Sequence, residues 1–350
     1  MHTTTIKRVS LLAACACGIA LSGLAQAETQ LRVVGNFSGN KIHVEQVERP
    51  FFSKLNERDD LNVTYNTMDA IGLEAADALR MLRTGAFDVM SVQIGMASRD
   101  DPFFEGVDLA GVAQDLDEQR NVVEAIREKM DARLQERFNA KLMTLWPFGP
   151  QMLFCNGEID GVGDLAGKKV RVFTPSMSRL VEGLGATPVT LQFSEVYLAL
   201  QRGVADCGVT APTAANSGKW PEVTTHLVPL PLSFSVQGHF MNLNAWNRLD
   251  AAQQEELTAA FKEMEQQMWD IAYNVNDDAI ACSTGQENCK RHTEYDMTLV
   301  DIGESSSQQV REITEKTVLP AWGENCNQIY PECTQVWNDT VGEATGYSIQ

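Results

Sequence analysis

Basic residues are scarce in this chain. It carries 28 Lys and Arg against 47 Asp and Glu, a formal charge of −19 over 350 residues. Nucleic acid is thereby a poor partner, because gripping phosphates takes clustered Lys and Arg. Histidine is sparse too. Beyond residue 27 only His43, His226, His239 and His292 occur, far apart, and there is no C-x-x-C. A metal site is not implied by such a set. G-x-S-x-G, H-E-x-x-H and the P-loop are all missing. The run GVGDLAG at 161–167 misses the dinucleotide fingerprint by one residue, and it precedes a strand instead of following one. No catalytic constellation and no cofactor is expected. Past residue 27, no stretch approaches the roughly 18 continuous apolar residues of a membrane helix.

What is present begins with a leader. Residues 1–27 have a basic start (Lys7, Arg8), an apolar stretch and the A-x-A site Ala25-Gln26-Ala27, the pattern of a secretory signal peptide. The alternative, a lipoprotein Cys15 in LAAC, has only a few apolar residues before it. Removing 1–27 takes away two positive charges and no negative ones, so −19 becomes −21. An exported, soluble, acidic protein is expected. Six cysteines then remain: Cys155, Cys207, Cys282, Cys289, Cys326 and Cys333. An even number in an exported chain suggests disulfides, and six allow 15 connectivities. Short spacing favours Cys282 with Cys289 and Cys326 with Cys333, which leaves Cys155 and Cys207, both in strand-like segments.

Strand and helix signals alternate from QLRVVGNF at 30–37 onward, the mark of an α/β fold with mostly parallel sheets. NKIHVEQVERPFFSKLNER reads as a helix interrupted at Pro50, and LNVTYN and FDVMSV as strands. The 323 residues after the leader suggest two domains. One pattern recurs: LRTGAFDVMSV (82–92) and LQRGVADCGVT (200–210) share L-x-x-G-x-x-D, a helix end, a glycine stop and a strand. Ser194 is expected to cap the helix EVYLALQR. From about residue 250 an amphipathic helix of about 25 residues is expected, with Leu257, Phe261, Met264 and Met268 on one face. YDMTLVDI reads as one more strand, and the remainder as helix and a cystine-tied tail.

The stretch KKVRVFTPS (168–176) places Arg171 in a strand that runs into a helix start, with Thr174 as N-cap and Pro175 at the first helical position. Two roles are open to it. Arg171 can pair with a structural acid such as Glu195 or Asp206. Alternatively, its bidentate fork beside a helix N-terminus can hold a carboxylate.

DLAGKKVRV followed by GLGATPVTLQFSEVYLALQRGVAD resembles the substrate-binding subunits of tripartite ATP-independent periplasmic (TRAP) transporters, the DctP type. The likeness is most specific at 164–206, looser from about 31 to 277, and weakest in the cysteine-bearing tail. It implies a two-lobed periplasmic binding protein of type II-like α/β fold, with a cleft and a long helix spanning both lobes. Such proteins capture small organic acids and pass them to a membrane permease pair. Lobe one is then expected at 28–147 plus 236–276, and lobe two at 148–235 plus 277–350. The family's carboxylate-clamping arginine falls on Arg171, its cleft aromatic on Phe193, and a first-lobe asparagine on Asn36. Where family members carry a second arginine, a glutamate and an asparagine, this chain has Gln151, Gln93 and Thr210. Phe37, Trp146, Phe148 and Phe173 lie near these positions. The expected ligand is a monocarboxylate with an apolar or aromatic body, with a dicarboxylate or sugar acid as the alternative. A monomer is expected. An exported enzyme or a sensor subunit on the same fold are the competing classes.

Overall fold

The structure, a computed structural model, describes residues 28–350. The leader at 1–27, with Cys15, lies outside the described residues. Eleven strands form two mixed sheets. They are β1 (Thr29–Gly35), β2 (Leu61–Thr67), β3 (Val89–Gln93), β4 (Ala140–Pro147), β5 (Met152–Cys155) and β6 (Lys169–Val172). Then follow β7 (Thr187–Thr190), β8 (Cys207–Thr210), β9 (His226–Val228), β10 (Val236–Asn242) and β11 (Thr298–Leu299). The first sheet runs β2-β1-β3-β10-β4 and the second β11-β9-β5-β8-β6-β7. Each has a parallel trio, β2-β1-β3 and β7-β6-β8, extended through antiparallel pairings, with the short β11 added parallel to β9 at the edge of the second sheet. Val89-Met90-Ser91-Val92 and Cys207–Thr210 are buried on both faces, as strands sandwiched between helices must be.

The recurring L-x-x-G-x-x-D has a structural basis. Gly85 and Gly203 end their helices with φ of 71° and 67°, a region that glycine enters without steric cost. Asp88 then clasps Arg32 of β1: its N–H donates to the Arg32 carbonyl, and its carboxylate accepts from the Arg32 N–H. Asp206 does the same to Lys169 of β6, at 2.8 and 2.7 Å. Each aspartate thus joins a new strand to the middle strand of its trio, and the two lobes are built alike.

The chain passes between the lobes at 148–151 and again at 232–235. These crossings hydrogen-bond to one another: Gly149 N–H donates to Phe234 O, Gln151 N–H to Ser233 O, and Leu232 N–H to Gln151 O. Asp108 pins the second crossing by accepting from the Phe234 and Val236 N–H groups. Beside it, Glu105 of the first lobe accepts from Ser176 N–H at 2.8 Å, in the first turn of the second-lobe helix Pro175–Gly183. Gly95 approaches Thr174 so closely that a Cβ would lie 2.7 Å from its methyl group.

A third connection is the helix Ala251–Ser283, capped by Asp250 and Gln253. It has 33 residues, longer than the 25 expected. The polar run Asn274–Asp278 does not end it. Asn276 is buried and bonds the Ala272 carbonyl, and Asp278 binds His292 and the N–H groups of Lys290 and Arg291. No helix among the described residues is long and apolar enough to cross a membrane.

Four local expectations change. The helix around Pro50 is not interrupted, because a wider turn at Val44–Glu48 lets it continue through Arg49–Leu55. The helix Phe193–Gln201 is capped by Gln192 with Glu195, not by Ser194. The strand expected in YDMTLVDI shrinks to the two residues of β11. The tail does not stay with lobe two: Leu319, Trp322, Trp337, Val341 and Ile349 join the core that contains Leu31 and Val33. Trp322 donates to Pro102 O and Trp337 to Gly106 O, both at 2.9 Å. The last segment therefore belongs with lobe one, and only residues up to about Val318 pack on lobe two. The cystines are Cys155–Cys207, across β5 and β8, Cys282–Cys289 and Cys326–Cys333.

Burial pushes the carboxyls of Glu105 and Asp108 up to about 7, although backbone N–H groups partly offset it. The folded state thus binds these protons more tightly than the unfolded chain does. Their contribution to stability is present at acid pH and is lost as pH rises from about 4 to 7. Between pH 5 and 8, denaturant titrations should show the wild type losing on the order of 1–3 kcal/mol more than a Glu105→Gln, Asp108→Asn double variant.

Candidate functional site

A cleft of about 290 Å³ opens between the lobes. The second-lobe wall is built by the ends of β6 and β8 and the start of the helix Phe193–Gln201. Arg171 is at its centre and is only 2% exposed. Its Nε and Nη2 donate to the Leu191 carbonyl at 3.1 and 3.0 Å, and Nη1 donates to the Val209 carbonyl at 2.9 Å. Those bonds take three of five guanidinium hydrogens, leaving one on Nη1 and one on Nη2. The rings of Phe173 and Trp220 flank the charge at 5.0 and 5.7 Å. Trp220 gets this close because β8 has Gly208 there, where a Cβ would sit 2.7 Å from the indole.

The structural ion pair is not formed. Glu195 accepts from the Gln192 N–H and Asp206 from the Lys169 N–H. Among the described residues no carboxylate offsets the burial of Arg171, and desolvation lowers its pKa to about 9. Even so, the group is charged at neutral pH. A buried cation with two guanidinium hydrogens outside these bonds, at the wall of a cavity, has the chemistry to take an anion.

Arg171, Phe173, Phe193 and Thr210 come together on the second-lobe side, and Gln151 at the crossing. Phe37 and Gln93 face them from the first lobe. Gln93 donates to the Ser235 hydroxyl, and Ser235 adopts an unusual φ of 55° in the second crossing. Two expected residues are not in the lining. Asn36 is turned inward, where its N–H groups donate to Glu48 and its carbonyl accepts from Asn40 and Gln237. The wide turn at Val44–Glu48 brings Glu48 into the interior, and Asn36 is one of its donors. Trp146 is fully buried, stacked 5.1 Å from His43 and edge-on to Phe148. Phe148, the next residue but one, reaches the cleft instead.

Sequence inspection passed over Asn40, Asp69, Met96, Gln192, Ser194 and Ser235 as lining residues. Asp69 lies in a plain turn, and nothing local marks it as lining the same cleft as Arg171. Asp278, His292 and Cys282 gather elsewhere, but the Cys282 sulfur is in a disulfide and cannot serve as a thiolate ligand.

A family model described as bacterial extracellular solute-binding protein, family 7 (DctP), matches residues 52–318. The chain belongs to this family. It is 26% identical over 192 residues, 53% of its length, to the sialic acid-binding periplasmic protein SiaP of Vibrio cholerae, and spans 59% of that protein. It is 26% identical over 287 residues to the C4-dicarboxylate-binding periplasmic protein DctP of Rhodobacter capsulatus, covering 77% of this chain and 82% of that one. The fold matches that of DctP7, a Bordetella pertussis extracytoplasmic solute receptor binding pyroglutamic acid. There the TM-score is 0.76 at 18% identity, over 89% of this chain and 99% of that one.

The position of Asn36 in this family member has a measurable consequence. Asn36→Ala removes donors from a buried carboxylate and should lower unfolding free energy by about 1–3 kcal/mol, read from the denaturant midpoint.

Proposed function

We propose that this chain is the solute-binding subunit of a TRAP transporter. In the periplasm it captures a small organic acid through Arg171 and presents it to membrane permease subunits. The observation that carries this reading is the buried guanidinium with two free hydrogens and no acidic partner, at the wall of an interlobe cleft. A ligand carboxylate supplies the missing charge and the missing acceptors.

The lining favours one carboxylate on a largely apolar body. Arg171 is the sole cation among the lining residues, and Phe37, Phe148, Phe173, Phe193 and Met96 supply most of the apolar wall. A dicarboxylate would leave its second charge without a cation, and a sugar acid would leave hydroxyls against phenyl rings. Gln93, Gln151 and Thr210 provide neutral hydrogen-bonding positions. Closure is a hinge motion at the two paired crossings, driven by the ligand's greater affinity for the closed form.

Calorimetry on carboxylates selected by thermal shift tests this function. Arg171→Ala should cost about 2–5 kcal/mol of binding, because it leaves a carboxylate unpaired in a dry cleft. Arg171→Lys should recover only part of the loss, since an ammonium keeps the charge but not the fork. Binding by Arg171→Ala within twofold of wild type would sink the assignment. Recovery of the ligand unchanged after long incubation, by mass spectrometry, separates a receptor from an enzyme. Ligand-dependent association with the permease subunits separates it from a sensor.

A further inference from the structure

A second charged group reaches the cleft, and a simple monocarboxylate does not use it. Asp69 lines the cavity from the first lobe, where it opens the short turn Asp69–Ile71 after β2. The Ser38 N–H donates to one of its oxygens at 2.8 Å and the Ser38 hydroxyl to the other. Burial pushes its carboxyl up, but the Ser38 and Thr67 donors outweigh that and hold it below the usual carboxylate range. It is therefore an anion at neutral pH. The two Ser38 bonds fall one on each oxygen, and the side chain is exposed, so the open side of the carboxylate meets water. No Lys or Arg offsets its charge among the described residues.

The cleft thus carries one fixed cation on lobe two and one fixed anion on lobe one, and every other lining side chain is neutral. Closing on an acid with a purely apolar body would strip water from Asp69 with nothing in return. A dicarboxylate would bring its second negative charge toward Asp69. An acid that also bears an N–H group meets both lobes, and a positively charged one can rest against the phenyl rings as well. We propose that Asp69 is a specificity-determining residue that accepts from an N–H donor of the ligand, so that the ligand class is a small carboxylic acid carrying an ammonium, amidinium or lactam N–H. This rests on the assignment of the ligand carboxylate to Arg171.

Two matched pairs of acids test it by calorimetry. Pyroglutamate is compared with its lactone isostere 5-oxotetrahydrofuran-2-carboxylate, and piperidine-4-carboxylate with cyclohexanecarboxylate. Each pair keeps the carboxylate and the ring and differs in the N–H. The variant is Asp69→Asn, which retains an acceptor for the Ser38 N–H, and thermal unfolding verifies that it folds. In the wild type at least one N–H acid should bind about tenfold or more tighter than its partner. Asp69→Asn should weaken that acid about tenfold and change its partner less than twofold. Preference for the lactam alone identifies a neutral N–H donor as the ligand feature, and preference for the piperidine alone identifies a cationic one. Equal binding within both pairs, or equal weakening of both members by Asp69→Asn, overturns the role of Asp69 and leaves Arg171 as the carboxylate site. Failure of all four acids to bind the wild type, while other carboxylates bind and lose that binding in Arg171→Ala, overturns the N–H ligand class and leaves Arg171 standing; carboxylate binding that survives Arg171→Ala overturns both.

Discussion

A guanidinium is held away from water with no carboxylate beside it, and the organisation of the cleft follows from that constraint. Taking a charge out of water costs several kcal/mol unless something replaces the hydration. Here the replacement is partial. Two backbone carbonyls and two ring faces solvate Arg171, and the Leu191 oxygen accepts twice. Each support requires something of the sequence nearby. Gly208 makes room for Trp220, Phe193 stacks on Trp220 at 5.5 Å, and Gly218 lies against Phe193. A chain of small and aromatic residues thus holds one side chain in a fixed direction, and the proposed ligand carboxylate is what would meet the rest of its solvation.

The first lobe depends on this geometry as much as the second does. The Glu105 carboxylate receives the Ser176 N–H one turn beyond Arg171, and Gly95 lets the lobes touch beside it. These contacts sit at the base, next to the paired crossings that Asp108 pins. A hinge fixed at its base converts a small rotation into a large change at the rim. Phe37 and Asp69 line the cleft from first-lobe segments outside these basal contacts.

Much of the second lobe could be read locally. Thr174 caps and Pro175 opens its helix as the letters suggest, since caps and first turns are chosen by neighbours in sequence. The glycine-aspartate repeat was visible for the same reason, although its purpose, a clasp on a neighbouring strand, needs the fold. Asn36 and Trp146 show the limit. Alternation along a strand says that a residue faces one side or the other. It does not say whether that side is cleft or core, which depends on what the distant Glu48 and His43 bring there. Asp69 and the tail were illegible for a related reason. A turn aspartate and a tryptophan-bearing helix have ordinary local chemistry, and only partners far along the chain give them their places.

The return of Leu319–Ile349 to the first core affects the order in which the protein can form. That core joins Leu31 to Ile349. Its contacts are therefore very distant in sequence, and closing such loops is slow. A chain emerging from its N-terminus would have the strands of its first lobe in hand long before the tryptophans that cover them. Until Leu319–Ile349 arrive, the core that holds Leu31 and Val33 lacks the residues that cover it, and that lobe is finished only after they are made.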